Sequence, residues 1–351
     1  MTTDLRHHAP NHGQNLEKSK EIQMGMEFKA LIVEEQNDRQ FTRRIGVRNI
    51  DDLPAGDLLI RVRYSSLNYK DALSATGNRG VTRNFPHTPG IDAAGEVVED
   101  ASGTFSAGDT VVVTGWDLGM NTAGGYGEYI RIPAAWALPL PAGLDMRESM
   151  ILGTAGFTAG LSVHELARKV SPASGDILVT GATGGVGSVA VAILAKAGYR
   201  VIAVTGKADQ TDFLKTLGAA DVVSRESIME HAERPMMKER WAGAVDVVGG
   251  EMLAAVLKST CYRGTVTCCG LVGSPELPVN VFPFILRGVS LLGIDSVQCP
   301  DTLRRQVWDK LGTEWKINLK SLVTEVTLDN LEKQIEAILK GQLKGRVLVK
   351  L

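Results

Sequence analysis

Two short stretches carry residue types that could do chemistry. The first is Ala182-Thr183-Gly184-Gly185-Val186-Gly187, between the apolar run "DILVTG" and a small-residue helix pattern that starts at Gly185. Read against G-x-G-x-x-G, it places Ala182, Gly184 and Gly187 at the key positions, in the strand–loop–helix context a dinucleotide site requires. The chemistry needs almost no side chain here. Backbone N–H groups must close on a pyrophosphate while a helix N-terminus faces its charge. A second strand pattern, "YRVIAVTG", then ends on Thr205-Gly206-Lys207. A site for NAD usually places an acid at that tip to hold the ribose hydroxyls. Lys207 would instead neutralise a 2′-phosphate and Thr205 would donate to it, which points to NADPH. The competing reading is a solvated Lys207 with Asp209 turned inward. The second stretch is "SSLNYKDAL" (Ser65–Leu73), which puts a carboxamide, a phenol and a carboxylate at Asn68, Tyr69 and Asp71. Asn68 and Tyr69 could donate to an oxyanion developing on a carbonyl, with Asp71 orienting them. Their plainer roles are a pocket wall for Tyr69, a turn for Asn68 and a helix cap for Asp71.

These residues need elements to position them. The first half reads as short strands at Phe28–Glu35, Asp57–Leu67, Ala94–Glu99, Asp109–Gly115 and Gly124–Pro133, rich in β-branched residues and bounded by Gly, Pro or Asp. That spacing predicts a compact, barrel-like antiparallel domain with function on its loops. From Met150 to Val170 the apolar period becomes helical. Strand and helix patterns then alternate as far as "VSLLGIDS", which predicts a parallel sheet covered by helices on both faces. Two amphipathic helix patterns and the strand "GRVLVKL" close the chain and are expected to return to the first domain.

Composition removes several classes of function. The chain has 351 residues, 44% hydrophobic and 22% charged, with 38 Lys+Arg against 40 Asp+Glu and a net charge of −2. That is a globular balance with no basic field for nucleic acid or an anionic membrane, so neither is expected as a partner. The four cysteines (Cys261, Cys268, Cys269 and Cys299) form no C-x-x-C pair, which argues against a disulfide framework and for a reducing, cytoplasmic setting. Residues 1–25 are polar, include His7, His8 and His12, and lack an apolar core segment; they read as a disordered extension and not a secretory signal.

In this order, "SSLNYKDAL", "FPHTPGIDAAGEV", "GTAGFTAGLSVHEL", "GATGGVG" and "PFILRGVSLLGIDSV" resemble the medium-chain dehydrogenases/reductases from Glu27 to Leu351. The phrases "RNFPHTPGID", "TGWDLGMNTAGGYGEY" and "NVFPFILRGVSLLGIDSV" resemble, more narrowly, the acrylyl-CoA reductase (AcuI/YhdH-type) group. The resemblance implies an α/β fold: a Rossmann doubly wound parallel sheet over 153–298 and a discontinuous GroES-like catalytic domain over 26–152 and 299–351. Where zinc-dependent relatives carry a cysteine and Gly-His-Glu, this chain reads "LNYKD" and "PGIDAAG". Asp92 and Glu96 there have no His or Cys beside them, so no metal site is expected. The implied reaction is metal-free, NADPH-dependent reduction of acrylyl-CoA to propanoyl-CoA, with quinone reduction as the alternative and a cofactor-keeping RNA-binding or redox-sensing protein disfavoured by the charge. The resemblance assigns cofactor contacts to Tyr69, Thr183, Gly184, Gly185, Val186, Thr205, Gly206, Lys207, Arg225, Leu271, Ile285, Ser296 and, more weakly, Gly341. Arg79, Arg83, Arg287, Arg304 and Arg305 are available for the phosphates of CoA. The strand "VSLLGIDSV" resembles the one through which relatives pair as homodimers.

Overall fold

The computed structural model describes residues 25–351, so the extension expected at the N-terminus lies, Gly25 apart, outside the described residues. Strands β1 (Glu27–Glu35) and β2 (Phe41–Asn49) form an antiparallel hairpin in full register. The sequence reading has no β2, because Thr42, Arg43, Arg44, Gly46 and Arg48 break its apolar alternation and only its partner strand is well buried. Strands β3 (Leu58–Leu67), β4 (Asp92–Asp100), β5 (Thr110–Thr114), β6 (Tyr129–Ile132) and β7 (Ala137–Pro139) form a sheet of antiparallel pairs, with β6 on the flank of β3. β6 is shorter than the expected Gly124–Pro133 because Gly124, Gly125 and Tyr126 bond instead to the Thr88–Gly90 backbone.

A 22-residue helix, Met146–Ala167, carries the chain to the second domain. It begins four residues before the expected start because Asp145 and Glu148 form a reciprocal capping box. Its small residues let neighbours approach closely: a Cβ on Gly160 would lie 2.7 Å from Val307 on the helix Asp301–Gly312. Phe157 and Trp308 stack across the same interface at 5.9 Å between centroids, worth about 0.5–1.5 kcal/mol beyond area burial. At Gly153 (φ 52°, ψ −156°) the helix breaks.

The second domain holds β8 (Ile177–Val179), β9 (Val201–Thr205), β10 (Asp221–Ser224), β11 (Trp241–Asp246), β12 (Thr260–Cys268) and β13 (Ser290–Gly293), all parallel, in the order β10-β9-β8-β11-β12-β13. Central strands such as β8 and β9 are buried throughout, which is why they read as unbroken apolar runs. The order reverses between β8 and β11, the switch point where open α/β sheets bind ligands. β14 (Val323–Thr327) and β15 (Arg346–Lys350) return the chain to the first sheet, with β15 antiparallel to β3. Among the described residues no helix is long and apolar enough to cross a membrane, and all four cysteines are free thiols.

Candidate active site

The glycine loop follows β8 and opens the helix Gly185–Lys196, with Gly184 as N-cap and no side chain bonding the first turn. Those N–H groups remain available to an anion. A Cβ on Gly187 would lie 2.4 Å from the Gly181 carbonyl, so glycine there is what lets the helix close on the loop. At the tip of β9 the Thr205 hydroxyl accepts from the Lys207 amide at 3.0 Å, leaving its own proton to donate. Arg225, just past β10, lies over Gly206: a Cβ there would meet its Nε at 2.9 Å. Lys207 Nζ donates to the Leu343 carbonyl at 2.7 Å. Burial holds its pKa below the ordinary lysine value; the Asp209 charge acts against that shift and Arg225 adds to it. Asp209 is not turned onto the tip; its carboxylate accepts from Gln210. The residues named from sequence at 183–186, 205–207 and 225 thus form one cradle with two cations and no carboxylate bonded to either.

In the Asn68 stretch the carboxylate takes the capping role and the carboxamide faces inward. Asn68 precedes the helix Tyr69–Ala75, and Asp71 caps it in reverse, Oδ2 accepting from the Asn68 amide at 2.8 Å and Oδ1 from the Ile91 amide at 2.8 Å. The Asn68 Nδ2 group faces two carboxylates, Asp71 Oδ2 at 3.2 Å and Asp92 Oδ2 at 2.8 Å. Both of its hydrogens are therefore committed, and only the amino end fits between two acceptors. In this geometry Asn68 has no free hydrogen to donate to an oxyanion. Tyr69, first in the helix, is 45% exposed and keeps its hydroxyl available.

Asp92, which the sequence suggests only as one of two acids without a His or Cys beside it, is fully buried and collects donors from across the chain. They are Ser66 Oγ at 2.5 Å, Asn68 Nδ2, the Thr154 amide at 2.9 Å and Thr154 Oγ1 at 2.5 Å. Arg346, also buried, donates to the Ile151 and Leu67 carbonyls at 2.9 and 3.2 Å, and its Nη2 has no partner. A Cβ on Gly185 would come within 2.9 Å of its Nη1, so this cation sits beneath the glycine loop. The only sequence signal for Thr154 and Arg346 is their place beside Gly153 and Gly345; their contacts span up to 279 residues. A pyrophosphate fits this surround: free helix N–H groups, a buried guanidinium beneath the loop and a glycine floor.

The other expected positions scatter. Leu271, 66% exposed, joins Cys268, Cys269, Gly249, Gly250 and Ile294 around a cleft of about 600 Å³ at the β11–β13 strand ends. Ser296 offers its carbonyl to Arg304. Ile285 lies on an exposed helix, outside the lining of that cleft. Gly341 (φ 66°) ends the helix Leu331–Leu339, a conformation that itself asks for glycine. Three of the five arginines considered for CoA are spent elsewhere. Arg304 is buried against the Thr114, Ser296 and Val297 carbonyls, Arg287 bonds the Lys258, Thr260 and Met237 carbonyls, and Arg305 pairs with Asp301. Among the described residues no three His, Cys, Asp or Glu side chains could hold a metal ion.

Burial, reinforced by the Asp92 charge, pushes the Asp71 pKa up to about 7 from 3.8. Between those values the folded state binds the extra proton, so this group's contribution to stability falls as pH rises and levels off above about 7. The slope is at most about 1.4 kcal/mol per pH unit. Urea unfolding of the wild type and Asp71→Asn from pH 5 to 8 isolates it, since the opposite-signed His87 contribution, lowered by burial, is common to both. The wild-type advantage should shrink from pH 5 to 7; an advantage that grows would contradict it.

A Rossmann sheet with this cradle, docked on a GroES-like domain that supplies Tyr69, defines a medium-chain dehydrogenase/reductase. The family description "Alcohol dehydrogenase GroES-like domain" matches residues 54–142 and "Zinc-binding dehydrogenase" matches 185–313. The chain is 45% identical over 325 residues to acrylyl-CoA reductase AcuI of Ruegeria pomeroyi, covering 92% of this chain and 98% of that one. It is 45% identical to the Salmonella enterica YhdH oxidoreductase solved in complex with NADP (TM-score 0.89, 93% and 100% covered) and to Bacillus subtilis YhfP solved with NAD bound (TM-score 0.90, 93% and 100% covered). The chain belongs to the AcuI/YhdH-type acrylyl-CoA reductase family of the medium-chain dehydrogenases/reductases. It is an oxidoreductase.

Proposed function

We propose that this enzyme uses NADPH to reduce the activated C=C bond of acrylyl-CoA, giving propanoyl-CoA. The observation that carries the cofactor choice is the guanidinium of Arg225 laid over Gly206 beside Lys207, a pair of cations where a site for NAD usually places an acid. The likeness to AcuI supports the substrate. Bound NADPH supplies the hydride that adds to the β-carbon. The protein's part is to hold the alkene in place and to stabilise charge that develops on the thioester oxygen. Tyr69 is the donor the geometry leaves free for that oxygen, because the Asn68 amide is tied to Asp71 and Asp92. That tie fixes the turn from which Tyr69 starts its helix. Water can deliver the proton to the α-carbon, so no buried acid is required.

Quinone reduction is the second reading, favoured by the provisional quinone oxidoreductase name of YhfP, also 45% identical. NADPH oxidation followed in parallel with acrylyl-CoA, crotonyl-CoA and a soluble quinone decides between them. Turnover of the quinone alone would remove the acrylyl-CoA assignment. In the same assay Lys207→Ala is expected to raise KM for NADPH by about 10- to 100-fold, the worth of one charge-assisted hydrogen bond, while KM for NADH hardly moves. Equal effects on both would remove the phosphate role. The reading includes a homodimer. β13 is the free edge of its sheet, and Val281, Phe282, Ile285 and Leu286 lie exposed just before it. Sedimentation should return twice the chain mass; a monomer at micromolar concentration would contradict it.

A further inference from the structure

A cleft of about 610 Å³, lined by Arg39, Phe41, Thr76, Gly77, Asn78 and Arg79, has no part in the reaction described above. It lies at the far end of the helix that Tyr69 begins. Thr76–Arg79 follow directly on Ala75, so one seven-residue helix, about 10 Å long, separates the phenol from the cleft. The Arg79 guanidinium lies over the rings of Phe41 and Phe85, 5.7 and 5.1 Å from their centroids, and those rings are 4.8 Å apart. Its edge is held by the Glu35 carboxylate at 2.5 Å and by the Arg83 carbonyl. So anchored, the side chain is still 49% exposed. Gly77 (φ 78°) forms part of the wall, where a Cβ would run into the Phe41 ring. Arg39, exposed, contributes a second cation to the lining.

We infer that this cleft receives the 3′-phosphorylated ADP end of the acyl-CoA, its adenine on the open face of Arg79 and its phosphates against Arg39. The inference rests on the proposed reaction. A thioester at Tyr69 carries its nucleotide on a long, flexible pantetheine arm, so the charged end must settle on the surface some way from the chemistry. Bases stack on guanidinium planes as they do on aromatic rings, and a guanidinium already backed by two aromatic rings loses little freedom when it is covered. Arginine suits phosphate through its fork of donors. Among the described residues Glu35 is a carboxylate beside this charge, and it is engaged with Arg79 along one edge, while Glu332 is engaged with Arg43. Arg287 and Arg304 are held by backbone carbonyls in other parts of the fold. Arg305 is paired and exposed much as Arg79 is, but among the described residues no aromatic ring lies beneath it.

The test is the ratio of kcat/KM for acrylyl-CoA to that for acrylyl-pantetheine, the same thioester without the nucleotide, at saturating NADPH. Arg79→Gln should lower that ratio by about tenfold or more and Arg39→Gln by several-fold, through KM for the CoA ester. Raising the salt concentration should lower the wild-type ratio and leave that of the double variant nearly level. Arg234→Gln, on the surface of the other domain, controls for net charge and should match the wild type. Arg39→Gln keeps the test sound if loss of Arg79 disturbs the aromatic pair beneath it. Ratios unchanged in both variants would overturn the site. A wild type that reduces neither thioester would overturn the assigned reaction, and the site with it, which is a different result from equal turnover of both.

Discussion

Replacing Asp92 by alanine is expected to lower the unfolding free energy by about 3–5 kcal/mol, the size of loss that follows when a buried cation is left without a compensating charge nearby. Domains of this kind are stable by only about 5–15 kcal/mol, so the variant should lose a large share of its denaturant resistance. The cost comes from what the carboxylate leaves behind. Ser66, Asn68 and both donors of Thr154 lose their acceptor, and the buried Arg346 loses its nearest compensating charge while Nη2 already lacks a partner. Activity should fall with stability, because the Asn68 amide then has one anchor instead of two and the turn that presents Tyr69 loosens. At a temperature where the variant stays folded by circular dichroism, kcat should be reduced at least tenfold with KM for NADPH less affected. A near-wild-type midpoint in urea would show that Asp92 is not the centre of this network.

Gly153→Ala should do comparable damage for a different reason. At φ 52° and ψ −156° the backbone occupies a region that is nearly glycine-only, and a side chain there costs about 1–3 kcal/mol. The new methyl would also stand 2.5 Å from both Asp92 Oδ2 and Ser66 Oγ and 3.1 Å from Arg346 Nη2, forcing the polar groups apart. Gly198→Ala is the control. Gly198 also has a positive φ, 86°, with nothing within 4 Å of a Cβ, so it reports backbone strain alone, about 1–2 kcal/mol. The excess of Gly153→Ala over Gly198→Ala measures the disruption around Asp92. The double variant Asp92→Ala, Gly153→Ala should lose less than the sum of the two single losses, since the methyl enters space the carboxylate has vacated. Strict additivity would separate the kink from the network.

The glycine loop and the tip of β9 are close in sequence. Gly184, Gly187, Thr205 and Lys207 lie within one strand–loop–helix–strand unit, so their spacing already implies where they meet. Arg225 belongs with them because β10 lies beside β9 and ends level with it, Ser224 opposite Thr205. The Asn68 stretch is legible as a turn and a capped helix start, but which way its carboxamide donates depends on Asp92, 24 residues away. β2 escaped notice because its arginines and glycine mask the alternation that marks a strand.

Periodicity, glycine placement and turn chemistry are enough to read the α/β architecture and the loop that opens the helix Gly185–Lys196. Those depend on interactions among neighbours in the chain. Only the tertiary structure decided that Asp92 is a buried acceptor for four donors, that Arg346 lies under the glycine loop, and that Tyr69 keeps its hydroxyl free. The first two follow from pairing β4 with β3, docking β15 on β3 and laying the Met146–Ala167 helix against all three, which joins residues 24 to 279 positions apart. No local pattern encodes such a meeting, because which polar groups must satisfy one another is settled only when packing has removed water from all of them.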